Sequence, residues 1–366
     1  MRNHVKVPLQ PPYSVRVLHT FAEVWEDLRS RHGEEIGLIV ADRRVVERQP
    51  EVFRGLDRAT RRRIVVVPGG ENAKTLRQFE RLHRAALDFG MDRRSLVIAL
   101  GGGTIGDLTG FFASTWMRGV PWIPIATTSL SIADSAVGGK TAVNLAGTKN
   151  LVGTFHQPIG VYGVLEALES LPARHLRSGL AEVLKSGIIA DARLVDRLER
   201  DASALRALDP DAWRAVLLAA CRVKADVVAA DPREGGRRAI LNFGHTVGHA
   251  LEVSHRPRPT HGEAVALGMI SASWVSERLD VAPSGTTGRV VDVLEELRLP
   301  RATREVDRVK FWRAIRYDKK SSGGEVRLVL TEGMGSATFG HRVPRKILQQ
   351  SLTVLGKGPP GGRSAP

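Results

Sequence analysis

Four histidines fall within a short stretch of the second half of the chain: His245, His249, His255 and His261. The first two are four residues apart, so on a helix they would share one face. Two histidines and one carboxylate, with one coordination position left open, form the ligand set of a catalytic zinc ion. The candidate carboxylates are Glu182, Glu252 and Glu263. The spacing favours a metal site without deciding which residues bind, and the alternative is that these histidines only line a helix face or the core.

A glycine-rich turn, Gly-Gly-Gly-Thr-Ile-Gly-Asp at 101–107, follows directly on an apolar run at 96–100. Such glycines let the backbone approach a pyrophosphate, and a following helix offers free N–H donors. The letters match G-x-G-x-x-G, but the acidic residue expected about 20 residues downstream at a strand end is absent. A tight structural turn therefore explains this motif equally well when it is taken alone. Two other apolar runs also end in polar or glycine-rich sequence: one is followed by Asp42, and the other by Pro-Gly-Gly-Glu-Asn-Ala-Lys at 68–74. Together, the ends of these three predicted strands indicate a ligand crevice at one edge of the sheet.

Lysine is rare in this chain, which has 11 lysines against 43 arginines. Seven of them lie in the segments that carry candidate chemistry: Lys74, Lys140, Lys149, Lys185, Lys224, Lys319 and Lys320. A compact ammonium group can approach a phosphate or a hydroxyl in a way that the guanidinium fork does not reproduce. The small-residue segment 134–144 and the pair Lys149-Asn150 are interpreted as loops that suit an anionic, hydroxylated ligand. The alternative is an ordinary turn with solubilising charge.

The elements that must position these residues differ between the two halves of the chain. Apolar runs at 37–40, 64–67, 96–100 and 122–125 predict strands, with helical patterns between them at 22–31, 73–89 and 105–117. Because the runs lack polar alternation, we expect strands that are buried on both faces, in a largely parallel sheet covered by helices.

From residue 173 to about 300 the pattern is helical, with almost no strand signal. The predicted helices cover 174–190, 192–207, 210–231, 239–253, 262–279 and 286–297. Gly244 and Gly248 repeat the four-residue spacing of the histidines and would let another element approach closely. A short strand is predicted at 326–330. The predicted organisation is an α/β domain at 1–170, an α-helical domain at 171–355 and a disordered tail at 356–366.

Composition narrows the class of protein. With 366 residues, 42% hydrophobic and 25% charged, the chain is neither mostly disordered nor collagen-like. The chain has a single cysteine, Cys221, so it forms no intrachain disulfide, and we expect the protein to lie in a reducing compartment. Cys221 itself is expected to be a core residue. No apolar run reaches the about 18 to 20 residues of a membrane span, and the N-terminus shows no signal-peptide core. The sequence therefore predicts a soluble cytoplasmic protein without a membrane partner.

The formal net charge of +15 raises the question of nucleic-acid binding. The arginines are scattered, aromatic residues make up only 5% of the chain, and no nucleic-acid motif is present. We expect an arginine-biased solvated surface and no nucleic-acid partner.

Taken jointly, the motifs resemble those of the 3-dehydroquinate synthase family, which belongs to the sugar-phosphate cyclases. The matching segments are 101–107, 127–128, 134–144, 149–150, 178–185, 224, 238, 241–249, 261–263 and 318–320. Their order and spacing follow the family from about residue 36 to 350. The resemblance implies a Rossmann-like α/β NAD-binding domain followed by an all-α metal-binding domain, as in iron-dependent alcohol dehydrogenases, with a site in the cleft between them. It also implies NAD and one divalent metal ion, zinc or cobalt, as cofactors.

The family's functional residues can be carried over by position. The metal ligands would be Glu182, His245 and His261. The NAD contacts would be Asp42, Glu71, Lys74, Gly102, Gly103, Thr104, Asp107, Thr127, Thr128, Leu130, Lys140 and Lys149. Substrate hydroxyls would meet Asp134, Lys185 and Lys224, and the substrate carboxylate would meet Arg238 and Lys140. The phosphate would be held by Asn150, Asn242, His249 and one of Lys319 and Lys320. Arg118 would reach in from a neighbouring subunit, which implies a homodimer.

The implied reaction converts 3-deoxy-D-arabino-heptulosonate 7-phosphate to 3-dehydroquinate and phosphate by transient oxidation, phosphate elimination, re-reduction and aldol closure. The chain departs from the family at Ala126, where a proline is usual, and at 161–166, which lacks an expected Asp-Thr-Asp. Three alternatives stay open. The first is a sister cyclase acting on an amino analogue or on sedoheptulose 7-phosphate; the latter has no carboxylate to pair with Arg238. The second is a metal-dependent polyol dehydrogenase, and the third is a nucleic-acid binder.

Overall fold

The computed structural model describes residues 3–33, 36–303, 306–317 and 326–359. Judged by internal contacts, the chain forms two compact units. One comprises Met1–Pro172 with Trp213–Ala229, and the other comprises Ala173–Ala212 with Ala230–Pro366. The helical segment Trp213–Ala229 therefore groups with the α/β unit, although it follows a long stretch of the other unit in the sequence.

The first unit is built on a seven-stranded sheet. The described strands of this unit, seven in the large sheet and two in a separate hairpin, are β1 (His4–Val7), β2 (Tyr13–Leu18), β3 (Ile36–Asp42), β4 (Ile64–Val67), β5 (Leu96–Gly101), β6 (Trp122–Ala126), β7 (Lys140–Leu145), β8 (Thr148–Phe155) and β9 (Val161–Val164). The order in the large sheet is β1-β2-β9-β6-β5-β3-β4, while β7 and β8 form a separate antiparallel hairpin. Only the β1–β2 pair of the large sheet is antiparallel.

Helices cover both faces of this sheet. Those of the first 172 residues are α1 (Phe21–His32), α2 (Arg43–Arg48), α3 (Arg58–Arg61), α4 (Leu76–Asp88), α5 (Gly103–Thr115) and α6 (Glu166–Glu169). Strands β3, β5, β6 and β9 are buried along their whole length. For the first three, the apolar runs at 37–40, 96–100 and 122–125 predict this burial. One core cluster gathers around Trp25 and Tyr162, and the other around Phe112 and Trp122. The predicted parallel α/β architecture is confirmed.

The second unit is mainly helical. The remaining helices are α7 (Ala173–Ala190), α8 (Ala192–Arg200), α9 (Ala202–Arg206), α10 (Pro210–Ala230), α11 (His245–Ser254), α12 (His261–Arg278), α13 (Thr286–Glu296), α14 (Arg308–Tyr317) and α15 (Arg345–Lys357). Strands β10 (Val326–Gly333) and β11 (Ser336–Val343) form an antiparallel hairpin. Apart from that hairpin, the helical character predicted for this half is confirmed. Among the described helices, none combines the length and the apolar content of a bilayer span.

Helices α11 and α12 touch through their backbones. A Cβ atom placed on Gly268 would lie 1.9 Å from the carbonyl oxygen of Gly244, so only glycine fits there. Gly248 also faces α12, with a hypothetical Cβ 3.1 Å from the Ala264 carbonyl oxygen. The close approach expected from the spacing of Gly244 and Gly248 is thus confirmed.

Several local predictions are corrected by the structure. The helix predicted over 239–253 is two elements, a 3-10 turn at Arg237–Asn242 and then α11, because Gly244 adopts a left-handed conformation with φ of 76°. Segment 140–155 is the β7–β8 hairpin rather than loops. The helix predicted over 192–207 is the pair α8 and α9. The elements that were not predicted are strands β1, β2, β9 and β11 and helices α2, α3, α6, α14 and α15. Helix α15 continues to Lys357, inside the predicted tail, whereas residues 360–366 lie outside the described residues.

Candidate functional site

In the second unit, one carboxylate from the middle of a helix and two imidazoles from the starts of two other helices converge. Glu182 lies inside α7 with 1% exposure, while His245 and His261 are the first residues of α11 and α12. Nε2 of His261 lies 3.1 Å, and Nε2 of His245 3.5 Å, from the same Glu182 oxygen, Oε1. One ligand atom from each residue lies within 4.8 Å of the others. Their geometry matches a three-ligand metal site.

The outer ring nitrogens of both histidines have hydrogen-bond partners. Nδ1 of His261 lies 2.8 Å from Glu252 Oε1, and Nδ1 of His245 lies 3.2 Å from the carbonyl oxygen of Phe243. These acceptors favour the proton on Nδ1, which leaves Nε2 with a lone pair in the neutral ring. Histidine ligands of metal ions are usually oriented in this way. The residues present therefore fit a divalent metal ion.

Charges around Glu182 keep it ionised. Burial opposes ionisation, but Lys185 on the next turn of α7 and the two imidazoles outweigh it and hold the pKa of Glu182 well below its usual range. The Lys185 ammonium forms a buried ion pair with Glu182 Oε2. Burial, assisted by Lys185, lowers the pKa of His245 to about 3. At neutral pH both groups are thus in the protonation state that binds metal.

His261 carries a proton in this arrangement. Burial acts to lower its pKa, but hydrogen bonds to Glu182 and Glu252 outweigh burial and raise the pKa of His261 to about 10. A metal ion would have to displace that proton, so its binding releases a proton.

The other candidates from the sequence are placed differently. Glu263 pairs with Arg174 and caps the start of α12, so it faces away from the cluster. Glu252 contacts the outer nitrogen of His261, and with His249 it forms a second group of possible ligand atoms around that ring. Nδ1 of His255 lies 2.8 Å from the Pro257 carbonyl oxygen instead. Of the three carboxylates left open by the spacing, the structure brings Glu182 to the two histidines. No pattern in the sequence indicates that Glu252 supports the outer nitrogen of His261.

Of the anion-binding residues proposed for this unit, Arg238 and Asn242 lie on the 3-10 turn that leads into His245, and His249 lies one turn further on, in α11. Arg238 is 2% exposed and donates from Nη1 to the Pro232 carbonyl at 2.7 Å. Asn242 donates to Glu234 Oε1 at 3.3 Å. His249 is exposed, with its ring centroid 5.3 Å from that of His245. Lys319 and Lys320 lie outside the described residues.

In the first unit, polar groups gather at the carboxyl edge of the parallel strands. Asp42 is in register with Val67, and Gly101 with Ala126, so four neighbouring strands end together. Helix α5 begins at Gly103 directly after β5, with Thr104 in its first turn. A Cβ on Gly103 would lie 2.4 Å from Ser135 Oγ, which explains the glycine. The helix N-terminus and the close-packed turn form an edge suited to an anionic group.

Two acidic residues at this edge are held by neighbours. Asp42 caps α2 and pairs with Arg44, whose Nη2 lies 2.9 Å from Asp42 Oδ2. Glu71 accepts from Asn144 Nδ2 at 2.7 Å and lies 3.7 Å from the Lys149 ammonium. Sequence reasoning missed Arg44, and its only signal is its place two residues after Asp42.

Lys74 is 3% exposed and joins two other predicted residues. Its ammonium donates to Asp107 Oδ2 at 2.6 Å and to the side-chain oxygen of Asn150. Burial raises the pKa of Asp107 to about 6, although Lys74 acts in the opposite direction. Asn150, assigned by resemblance to the phosphate, thus lies beside two residues assigned to the cofactor.

A π-helical turn, Ser131–Ser135, is held from α10. The Lys224 ammonium donates to both the backbone oxygen and Oδ1 of Asp134, each at 2.5 Å. The Cys221 thiol, fully buried, donates to the Ile132 carbonyl at 3.2 Å. Burial raises the pKa of Cys221 to about 12, so it is a core thiol, as predicted, and not a nucleophile.

The remaining predicted residues occupy varied positions. The buried Thr127 hydroxyl has no hydrogen-bond partner among the described residues, whereas Thr128 Oγ1 accepts from the Ser131 amide at 3.1 Å. Leu130 precedes the π-helical turn, and Lys140 is the exposed first residue of β7. Arg118 is exposed, with a φ of 70°.

Comparisons with known proteins cover most of the chain. Residues 64–178 match the 3-dehydroquinate synthase N-terminal family, and residues 179–321 match the 3-dehydroquinate synthase C-terminal family. A 3-dehydroquinate synthase of Gloeobacter violaceus is 45% identical over 295 residues, which are 80% of this chain and 81% of that protein. The corresponding enzyme of Acidithiobacillus ferrooxidans is 42% identical over 292 residues, 80% of each chain.

Solved structures show the same architecture. A 2-deoxy-scyllo-inosose synthase, complexed with carbaglucose-6-phosphate, NAD⁺ and Co²⁺, has a TM-score of 0.84 at 25% identity over 97% of this chain and 100% of that one. A 2-epi-5-epi-valiolone synthase from Streptomyces hygroscopicus, with NAD⁺ and Zn²⁺ bound, has a TM-score of 0.82 at 28% identity, covering 94% and 97%. An iron-containing alcohol dehydrogenase shares the fold alone, at 15% identity and a TM-score of 0.64 over 93% and 97%.

Proposed function

The chain belongs to the 3-dehydroquinate synthase family, and from this membership we propose that it converts 3-deoxy-D-arabino-heptulosonate 7-phosphate to 3-dehydroquinate and inorganic phosphate. The observation that carries the proposal is the convergence of Glu182, His245 and His261, with both outer ring nitrogens hydrogen-bonded. The reaction breaks one C–O bond to phosphate and forms one C–C bond, with no net oxidation. When bound, NAD⁺ would accept and return one hydride at a ring carbon, and zinc or cobalt would polarise the reacting oxygens.

The residues of the second unit would hold the metal and bind substrate groups. Glu182, His245 and His261 would be the metal ligands, and the Lys185 ammonium beside Glu182 would orient a substrate hydroxyl. The buried Arg238 guanidinium would bind the carboxylate, since its planar fork suits two oxygens. Asn242 and His249 would donate to the phosphate, as would Lys319 or Lys320.

The residues of the first unit would bind the dinucleotide. The turn at Gly102 and Gly103 and the N-terminus of α5 suit a pyrophosphate, and Asp42 suits a ribose diol. The other proposed contacts are Glu71, Lys74, Thr104, Asp107, Thr127, Thr128, Leu130, Lys140 and Lys149. Asp134, held by Lys224, would accept a hydrogen bond from a substrate hydroxyl, and Lys140 and Asn150 would add to substrate binding.

We propose that the protein is a cytoplasmic homodimer in which Arg118 serves the neighbouring subunit. Arg118 is exposed, and its backbone adopts a left-handed conformation with a φ of 70°. An exposed guanidinium on a left-handed turn suits a contact made by a second copy of the chain.

The test measures released phosphate and absorbance at 340 nm together, on protein loaded with metal and NAD⁺. The expected result is phosphate release over many turnovers with no net NADH, and its loss in Glu182→Gln. Net NADH without phosphate would replace the proposal with a polyol dehydrogenase. Release from sedoheptulose 7-phosphate or an amino analogue, but not from the carboxylated sugar, would indicate a sister cyclase.

A further inference from the structure

Three residues on successive turns of helix α7 each contact one of three consecutive residues in the first turn of α12, in reverse order. Arg174, Ser178 and Glu182 are four residues apart and share one face of α7. Opposite them lie residues 261–263. The pairs are Glu182 with His261 at 3.1 Å, Ser178 Oγ with the Gly262 amide at 2.8 Å, and Arg174 Nε with Glu263 Oε1 at 2.8 Å. Two of these three contacts involve residues with no assigned function, Arg174 and Ser178.

The Arg174 contact ties α7 to the start of α12 at several points. Its guanidinium also reaches Glu263 Oε2 at 2.5 Å and the carbonyl oxygen of Arg258 at 3.1 Å. The same Glu263 carboxylate accepts from the backbone amide of Thr260 at 2.8 Å, and the Thr260 hydroxyl accepts from the Glu263 amide at 3.3 Å. The cap that begins α12 at His261 is thereby held by a side chain of α7.

The backbones leave no room for a different alignment. A Cβ on Gly262 would lie 2.2 Å from the carbonyl oxygen of Ser178. Sliding α12 along α7 would break the Ser178 hydrogen bond and drive other residues into this contact. A one-residue shift along a helix is about 1.5 Å. A zinc ion requires nitrogen and oxygen ligands at about 2.0 to 2.2 Å, with a tolerance of only about 0.2 Å, so a shift of that size would break the site.

We propose that Arg174 and Ser178 are positioning residues that fix the alignment of α7 with α12, and so set the spacing of Glu182 and His261 for metal binding. This inference rests on the metal centre of the proposed function. Arg174 lies two helical turns, about 12 Å along the axis, from Glu182, so it acts through the helix contact and not by touching the ion. Residues that support metal ligands change metal affinity by about 10-fold to 100-fold when they are replaced.

The experiment measures the Co²⁺ affinity of the metal-free protein by competition with a chelator, and the visible absorption spectrum of bound Co²⁺. The variants are Arg174→Met, Arg174→Lys and Ser178→Ala. The matched control is Arg289→Met, because Arg289 is 37% exposed and pairs with Asp196 at 2.5 Å in the same unit, much as Arg174 is 47% exposed and pairs with Glu263 at 2.5 Å. Thermal unfolding of each metal-free variant accompanies the titrations.

We expect Arg174→Met to weaken Co²⁺ binding by about 10-fold to 100-fold and to change the spectrum, with partial recovery in Arg174→Lys. Ser178→Ala should weaken binding as well, and it carries the test if Arg174→Met does not fold. Arg289→Met should bind Co²⁺ as the wild type does. Wild-type affinity in both Arg174→Met and Ser178→Ala, or an equal loss in Arg289→Met, overturns the inference while leaving the metal centre intact. A wild-type protein that binds neither Co²⁺ nor Zn²⁺ overturns the metal centre, and the inference with it.

Discussion

Asp107 pairs with the buried Lys74 ammonium, and its pKa is unusually high for an aspartate. Its pKa is raised from 3.8 to about 6 by burial, although Lys74 opposes the shift. Between these two pH values the folded protein binds more of this proton than the unfolded chain does. The contribution of Asp107 to the free energy of unfolding therefore falls as the pH rises from 3.8 to about 6.

Replacing Asp107 by asparagine should remove this pH dependence. We expect the stability of the wild type relative to Asp107→Asn to decrease as the pH rises from 3.8 to about 6, and to be constant below that range. Urea unfolding of both proteins at closely spaced pH values measures the difference. A difference that is independent of pH would contradict the raised pKa.

Glu252 touches the outer nitrogen of His261 at 2.8 Å, and its charge raises the basicity of that ring. Glu252→Gln keeps the shape but removes the charge, so Zn²⁺ affinity should fall by about 10-fold or more. Competition with a chelator measures the affinity. The control is Glu277→Gln, because Glu277 lies at the far end of α12 and accepts a hydrogen bond from the Thr287 amide. Equal affinities in the two variants would show that Glu252 does not support the metal ligand.

At the residue scale, the sequence indicates which side chains could carry the chemistry better than it indicates which residues those side chains contact. The scarcity of lysine indicated that Lys74 and Lys224 are selected for their ammonium groups, and both form close polar contacts in the structure. Spacing alone left three carboxylates open, because Glu182 lies far from His245 along the chain. Only the packing of α7 against α12 brings that carboxylate to the histidines.

At the scale of elements, the contact between α11 and α12 depends on a missing side chain. Gly268→Ala would place a methyl group 1.9 Å from the Gly244 carbonyl oxygen, so the helices must separate. We expect a loss of about 1 to 3 kcal/mol in unfolding free energy, the range typical of overpacked cores. Denaturant unfolding measures it.

The control for this substitution is another helical glycine. Gly356 lies in α15, and a Cβ there would meet only the Thr303 carbonyl oxygen, at 3.8 Å. Gly356→Ala should be neutral or stabilising by up to about 1 kcal/mol, because alanine favours the helix. A similar loss in both variants would mean that helix contact is not the cause.

Elements with uninterrupted apolar sequences could be predicted, and exposed ones could not. Strands β3 and β5 are buried along their length, and their apolar runs indicate strands directly. Strand β8 is almost wholly exposed, and its glycine, threonine and asparagine residues resemble a loop. The β7–β8 hairpin is stabilised by pairing rather than by a pattern that the sequence displays.

At the scale of the whole molecule, the role proposed for Arg118 predicts complementation. Neither Arg118→Ala nor Glu182→Gln should be active alone. Mixed and reassembled, half of the dimers would be mixed, and each of these would have one site with intact Glu182 and an intact Arg118 from its partner. Recovery of about one quarter of wild-type phosphate release is therefore expected. No recovery, with mixed dimers shown by native mass spectrometry, would place Arg118 in its own subunit's site.

The assignment of Trp213–Ala229 to the α/β unit has a consequence for synthesis on the ribosome. The segment that supplies Lys224 to Asp134 is made only after Ala173–Ala212, which belongs to the other unit. The α/β unit thus cannot finish folding when Pro172 emerges, and it must wait with an incomplete core while part of its neighbour is being made. No single cut in the chain yields both units whole, so expression of residues 1–172 alone would give a fragment without its last helix.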